Sequence, residues 1–557
     1  MKAKILMGSL LLASTLFSSC SDFLDEDPKG QLTAESYFQT LDELKMSTVA
    51  LAKKAQQTQI NVNMVYVNWQ GDDITTHPAS NKQACREIDR FDVPDNNKGV
   101  KDPWMNHFTL IKAANYVINN AAKTPTSEQE VNIAIGQGKY WRAFAYFYLV
   151  RTFGPVPMNL DNVNDDYTAP LASVEDVYKQ IVADLEDAEK LLPTSYSDEP
   201  RKLFGVNVYI TQQAAKATLA AVYMHMAGWP LNKGTEYYSK AAAKAKEVID
   251  GVNSGIYEYK MEQDFKQVYS MGNNYNNETV VGLNTSPFQD WGQDSQFVLT
   301  QLFESQSGWA DGFGELRFWK RYPAGPRKDI VFQPKIRLSD KENNGKMVNF
   351  WDKYTDKEGK QQPYIPEEHP MFSIFTLNVD DNNQTILNQP FDYTKPYNSG
   401  AVGGRMTNDH RHRVVRYSEV LLWYAECSAR AGQVTELAKD CLKKVRARAV
   451  EPDQVNVVNG VQIDAMTAEQ LAEAAYDEHG WEVAGYWLSL VTRRMDQFRM
   501  DRLKDAFAIR AANEPVEVAP GVTIQEHVKF TKTAWDQSMM YLPYPAEEAM
   551  KNPNLKR

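Results

Sequence analysis

The 557-residue chain reads as a mainly α protein: a tetratricopeptide-like scaffold of helical pairs with an irregular, loop-rich subdomain that carries short strands. Three observations predict this. Apolar residues recur at three- and four-residue steps in the first and last parts of the chain, the period of an amphipathic helix. Two Ala-rich segments, "TQQAAKATLAAVYMHMAGW" and "GTEYYSKAAAKAKEVIDG", follow one another as an antiparallel pair joined near Pro230, the small-residue stacking of helical repeats. From about 255 to 413 the helical period fades, and Asn, Asp, Gly and Pro become frequent. With 43% hydrophobic residues and no Ser/Gly- or Pro-rich linker, a single domain with a sizeable core is expected.

Taken in order, the chain opens with Lys2 and Lys4 ahead of an apolar run over 5–17. That run is too short to cross a hydrocarbon core of roughly 30 Å as a helix, but it suits a secretory signal. Phe17-Ser18-Ser19-Cys20 is similar to a bacterial lipobox, so 1–19 is expected to be a signal peptide and Cys20 the lipidated N-terminus of a domain over 20–557. Asp102 and Pro103 are placed to cap and open a helix in which Phe108, Ile111, Asn115 and Ile118 share a face. From 138 to 153 almost every residue is apolar or aromatic, and a helix apolar all round is buried all round. Gly154 ends it, and Pro155 forbids continuation. Lys139 and Arg142 share one side and are expected to reach carboxylates or carbonyls at its edge. Ser173 caps the next helix, whose apolar face is Val174, Val177, Ile181, Leu185, Ala188 and Leu192. Helices resume at "RYSEVLLWYAECSARAGQ", "VTELAKDCLKKVRARAV" and "AEQLAEAAYDEHGWEVAGYWLSLVTR". The scaffold is therefore placed at about 35–254 and 414–500, and the ligand-facing loops at about 255–413, with pieces such as "ETVVGLN" as strands.

Charge and cysteine content exclude several classes. Two lysines leave with the first 19 residues, taking the formal charge from −11 to −13, which argues against nucleic acid and anionic lipid surfaces. No CxxC is present, so a thiol metal site is not expected. Cys427 and Cys441 flank the turn at Gly432, where either a disulfide or two buried thiols would fit. His410 and His412 lack a third ligand nearby, and "NVDDNNQT" lacks the glycine and glutamate of a calcium loop, so neither is read as a metal site and no cofactor is expected. No nucleophile elbow or phosphate-binding glycine loop appears.

Several stretches together resemble the SusD/RagB family of nutrient-binding outer-membrane lipoproteins of Bacteroidetes. They are "GQGKYWRAFAYFYLVRTFGPVPM", the helix from Trp104 to Asn115, "SVEDVYKQIVADLEDAEKLLP", "RYSEVLLWYAECSARAG" and the closing "YLPYPAEEAMKNPNL". "LKKVRARA" and "DEHGWEVAGYWLSLVTRRMDQF" match that family more loosely. The resemblance implies a SusD-like α-α superhelix, anchored at the cell surface through Cys20, that captures an oligosaccharide or polysaccharide and passes it to a SusC-like, TonB-dependent transporter. It implies no covalent chemistry. A peptide or other non-sugar nutrient on the same scaffold is the alternative, with a glycoside hydrolase or a structural adaptor behind it.

Sugars present apolar C–H faces rimmed by hydroxyls, so a site for them needs aromatic platforms beside amides or carboxylates. Trp291 in "FQDWGQDSQ", Trp309 and Asp311 in "SQSGWADGFGE", and Trp351 in "NFWDKY" sit among loop residues and are the candidates. The early loop "NWQGDDITTHPASNKQA" adds Asp72, Asp73 and Asn81, following the family's habit of placing ligand contacts there.

Overall fold

A computed structural model of the chain describes residues 37–59, 62–78, 83–161, 168–285, 296–297, 308–374, 376–398, 407–527 and 529–556. Cys20 and the expected signal segment lie outside them. Helices α1 (Leu41–Gln57), α2 (Gln83–Asp89), α3 (Lys98–Asn120), α4 (Glu128–Phe153), α5 (Val174–Leu191), α6 (Gln212–Ala227) and α7 (Thr235–Asn253) come first. The short α8 (Leu316–Arg321) lies in the loop-rich region. Then follow α9 (Tyr417–Arg430), α10 (Glu436–Arg446), α11 (Ala468–Glu482), α12 (Arg493–Arg499) and α13 (Leu503–Ala512).

From α3 to α7 each helix packs on the next, and α7 packs directly on α9, which in turn packs on α11. The loop-rich region is thus an insertion in a helix stack whose two parts meet behind it. Its stems are tied by an antiparallel pair, β2 (Thr279–Leu283) with β4 (His412–Arg416), in the register His412↔Leu283 and Arg416↔Thr279. Within the insertion, every sheet among the described residues is a two-stranded pair.

α4 is the spine of the scaffold. The Ser127 side chain accepts the Glu130 N–H at its start, and Gly154 closes it at φ 71°, a conformation that costs glycine nothing. Between them, Tyr140, Trp141, Phe144, Tyr146, Phe147, Leu149 and Phe153 are all buried. Removing one such side chain from water is worth about 1.5–3 kcal/mol, so this helix alone supplies a large share of the core. Two of its cations find partners within the fold. Arg142 forms a bidentate pair with Asp184 at 2.8 and 2.7 Å and also reaches Asn115, while Lys139 reaches Asp187 at 2.7 Å. The aromatic stripe is scaffold.

A buried ionic joint links the insertion to the stack. Glu482, at the end of α11, accepts from Arg327, Arg416 and Arg448, each at 2.7 Å. Glu278, just before β2, takes Arg448 bidentately at 2.6 Å, and Glu478 takes Arg446 at 2.6 Å. Burial alone would raise the Glu482 carboxyl, but Arg448, Arg416 and Arg327 together hold it far below the usual carboxylate range.

Two helix boundaries differ from those read in the sequence. α3 starts at Lys98, because Asn97 rather than Asp102 caps it, accepting the Gly99 N–H at 2.7 Å; Pro103 lies inside the helix. The long run through "WEVAGYWLSLVTR" is not one helix. It breaks after Glu482, where Gly485 adopts φ 68° and a Cβ would strike the Phe372 ring at 2.3 Å. Cys427 and Cys441 are both free and buried, so no disulfide closes that hairpin.

Candidate ligand-binding surface

The first construction step is a long-range strand pair. β1 (Ile74–Thr76) lies antiparallel to β3 (Gly312–Gly314), with Ile74 opposite Gly314 and Thr76 opposite Gly312. The His77 N–H donates to the Asp311 carbonyl at 3.2 Å, and the Glu315 N–H donates to the Asp73 carbonyl at 3.1 Å. The early polar loop and the Trp309 segment, far apart in sequence, therefore share one edge. Gly312 permits this approach, since a Cβ there would sit 3.0 Å from the Trp69 ring.

Trp309 is half-buried against a cluster that contains Tyr66, Trp69 and Trp487. Trp351 is also half-buried, edge-on to Phe350 with ring centroids 4.7 Å apart and 5.7 Å from Trp319. Trp319 packs into both clusters and so connects the two candidate tryptophans. Beside Trp351, the Tyr354 and Tyr364 rings lie 5.0 Å apart, with Tyr354 42% exposed and the Lys346 ammonium 3.9 Å from the Tyr364 centroid.

The carboxylates behave differently from the sequence reading. Asp73 is buried, and its Oδ2 accepts the Gly485 N–H at 2.9 Å. Burial pushes its pKa up to about 6, against that hydrogen bond. It pins the backbone where α11 breaks. Asp311 is likewise buried beneath β3. Both were read in the sequence as exposed loop carboxylates, whereas the β1–β3 pair folds them inward. Asp72 stays at the surface of a cleft, held by Arg493 at 2.8 Å and by Arg321. Burial would raise it, but the two guanidiniums outweigh that and keep it ionised.

Residues 22–224 match a family model described as starch-binding, associating with the outer membrane, and residues 289–557 match the SusD family model. The chain belongs to the SusD/RagB family. It is 28% identical over 326 residues to a SusD-like protein of Bacteroides ovatus, covering 55% of this chain and only 54% of that relative. SusD-like protein P2 of Formosa agariphila is 24% identical over 510 residues, covering 86% of this chain and 89% of the relative. A solved structure described as a laminarin-binding SusD-like protein superposes with a TM-score of 0.66 at 18% identity, covering 92% and 98% of the two chains. At that identity the likeness establishes the SusD-like fold.

In this SusD-like chain, Trp291 and Asn81 lie outside the described residues. Sequence reasoning missed two aromatic pairs, Tyr354 with Tyr364 and Phe204 with Tyr275, the latter 4.7 Å apart with Phe204 81% exposed. A signal for the second was present: "LFGV" places a large aromatic beside glycine at a hairpin tip, where Phe204 takes φ 50°. Among the described residues no cluster of His, Cys, Asp and Glu could hold a metal ion. His410 and His412 are buried, and burial lowers both rings to about 3, so they are neutral. Asp380 in "NVDDNNQT" accepts the Asn382 and Gln384 N–H groups at 2.9 and 2.8 Å, the geometry of a surface turn.

Proposed function

We propose that this chain is a cell-surface lipoprotein that captures a nutrient glycan and helps deliver it to a SusC-like, TonB-dependent transporter. Cys20 carries the lipid that holds it to the outer membrane. No helix among the described residues is long and apolar enough to cross a membrane, which fits an anchor of that kind. The observation that carries the carbohydrate reading is the pair of half-buried tryptophans, Trp309 and Trp351, on an insertion carried by a SusD-like scaffold. Half-buried tryptophan combines a fixed ring with an accessible face, the arrangement that stacks on a sugar's C–H surface. The family's starch-binding description and the laminarin-binding neighbour support the same ligand class. Trp291, Asp72 and Asn81 are proposed to share the surface. No catalytic step is assigned.

The test is calorimetric titration of residues 20–557 against starch and laminarin oligosaccharides and a set of short peptides. A heat of binding with sugars and none with peptides is expected. A peptide-only signal would overturn the ligand class and leave the scaffold assignment in place.

A further inference from the structure

A groove of about 330 Å³ lies between α3 and a short C-terminal helix, α14 (Ala546–Lys551), with the residues that follow it. Met105, 48% exposed, half-buried Phe108 and Leu555 give it an apolar lining. Lys112 and Lys551 add two ammonium groups against the single carboxylate of Glu548. Apolar surface left open in this way marks a place where another segment packs.

Position and charge together say which segment. The described chain begins at Tyr37, and Phe38 beside it packs on Tyr116 of α3 with ring centroids 5.5 Å apart. Tyr116 is one helical turn from Lys112, so the chain enters the fold at one end of this groove. Residues 20–36 precede that point and lie outside the described residues. They include "SDFLDEDP", in which Phe23 and Leu24 are an adjacent apolar pair flanked by Asp22 on one side and Asp25, Glu26 and Asp27 on the other. From Leu24 to Tyr37 the extended chain spans about 45 Å, while α3 from Tyr116 back to Met105 is about 16 Å long. The match to the starch-binding family model begins at residue 22, so it takes in this stretch together with α3.

Other occupants fit less well. A second copy meeting the groove across a two-fold axis would set one concave surface against another, with Lys112 and Lys551 facing their own counterparts. A small anion would leave the apolar lining unused. We propose that Phe23 and Leu24 dock in the α3–α14 groove, with the flanking carboxylates facing Lys112 and Lys551. The consequence, which rests on the lipid anchor at Cys20 proposed above, is a short tether. With Phe23 docked, about 10 Å of extended chain joins the lipid to the domain, against about 56 Å from Cys20 to Tyr37. The face made by α3 and α14 is then held toward the membrane.

The test reads oxidation of Met105 by dilute peroxide, because a covered thioether oxidises more slowly than an open one. Residues 20–557 are compared with residues 29–557 and with residues 20–557 carrying Phe23→Asp and Leu24→Asp. Met46, 58% exposed on α1 and outside the groove, is the reference. Met105 of the unaltered chain is expected to oxidise about tenfold more slowly than in either altered chain, the shift that about 1.4 kcal/mol of docking gives. The double substitution keeps the test standing should the shortened chain fail to fold. Equal Met105 rates in the folded chains overturn the docking. Protection that persists in residues 29–557 and grows with protein concentration overturns it too, and assigns the groove to a second copy. The readout needs no lipid, so a failure of the anchor reading would remove the tether and leave the docking in place.

Discussion

The scaffold and the insertion treat their large aromatics differently. In α4, Trp141, Phe144 and Phe147 are buried, and so is every residue from Tyr140 to Phe153. In the insertion, Trp309, Trp319 and Trp351 are half-buried in loops and the short α8, packed against two neighbouring aromatic clusters. Burial on all sides leaves no face for a ligand, whereas half-burial fixes a ring and keeps one face accessible. An aromatic-rich segment is thus not by itself a binding segment; what matters is whether neighbouring elements close over it.

The sharpest way to break this comparison is at the joint between the two regions. Glu482→Ala leaves Arg327, Arg416 and Arg448 buried without their shared acceptor. Breaking a buried pair in this way costs about 3–5 kcal/mol, so urea unfolding is expected to show a loss of that size, with the insertion losing protection from hydrogen exchange together with the scaffold. An insertion that exchanges independently in the unaltered protein would contradict the view that one ionic joint locks both regions.

Asp73 gives a pH-dependent version. Folded Asp73 keeps its proton to about pH 6, while an ordinary aspartate releases it near 3.8. Between those values the folded state binds more protons, so this residue makes stability fall as pH rises across the window, by roughly 3 kcal/mol in all. Asp73→Asn keeps an acceptor for the Gly485 N–H and removes the titration. A flatter stability profile between pH 4 and 6 is expected in chemical denaturation, and an unchanged slope would place the titration elsewhere.

Much of the scaffold was legible because its signals are local. Ser127, Gly154 and Ser173 cap helices through neighbours within four residues, and α4 announces its burial by being apolar all round. The end of α11 was not legible, since Gly485 is held by Asp73 and crowded by Phe372, both more than a hundred residues away. The same distance hid the burial of Asp73 and Asp311, which look like exposed loop acids until β1 pairs with β3. Of the candidate surface, the half-buried setting of Trp309 and Trp351 was readable from their polar contexts.

Smaller effects sharpen the picture. Trp351→Ala is expected to lower oligosaccharide affinity by about tenfold while costing only about 1 kcal/mol of stability, because the ring is half-exposed. Titration and thermal melts on the same sample separate the two. Phe204→Asn at the hairpin tip is expected to raise stability by about 0.5–1 kcal/mol, because asparagine tolerates the left-handed backbone that Phe204 holds at φ 50°. A fall in Tm would show that the Phe204–Tyr275 contact outweighs that backbone cost.

The most direct test of the central claim sets the two regions against each other in one titration. Laminarin and starch oligosaccharides would be added to residues 20–557 carrying Trp309→Ala with Trp351→Ala, and separately to a chain carrying Tyr140→Phe, which removes only a buried hydroxyl bonded to Thr218 at 2.9 Å in the scaffold. The account predicts that the double tryptophan variant stays folded and loses binding at least tenfold, while Tyr140→Phe binds as the unaltered chain does. Full affinity in the folded double variant would contradict it and move the glycan site out of the tryptophan-bearing loops.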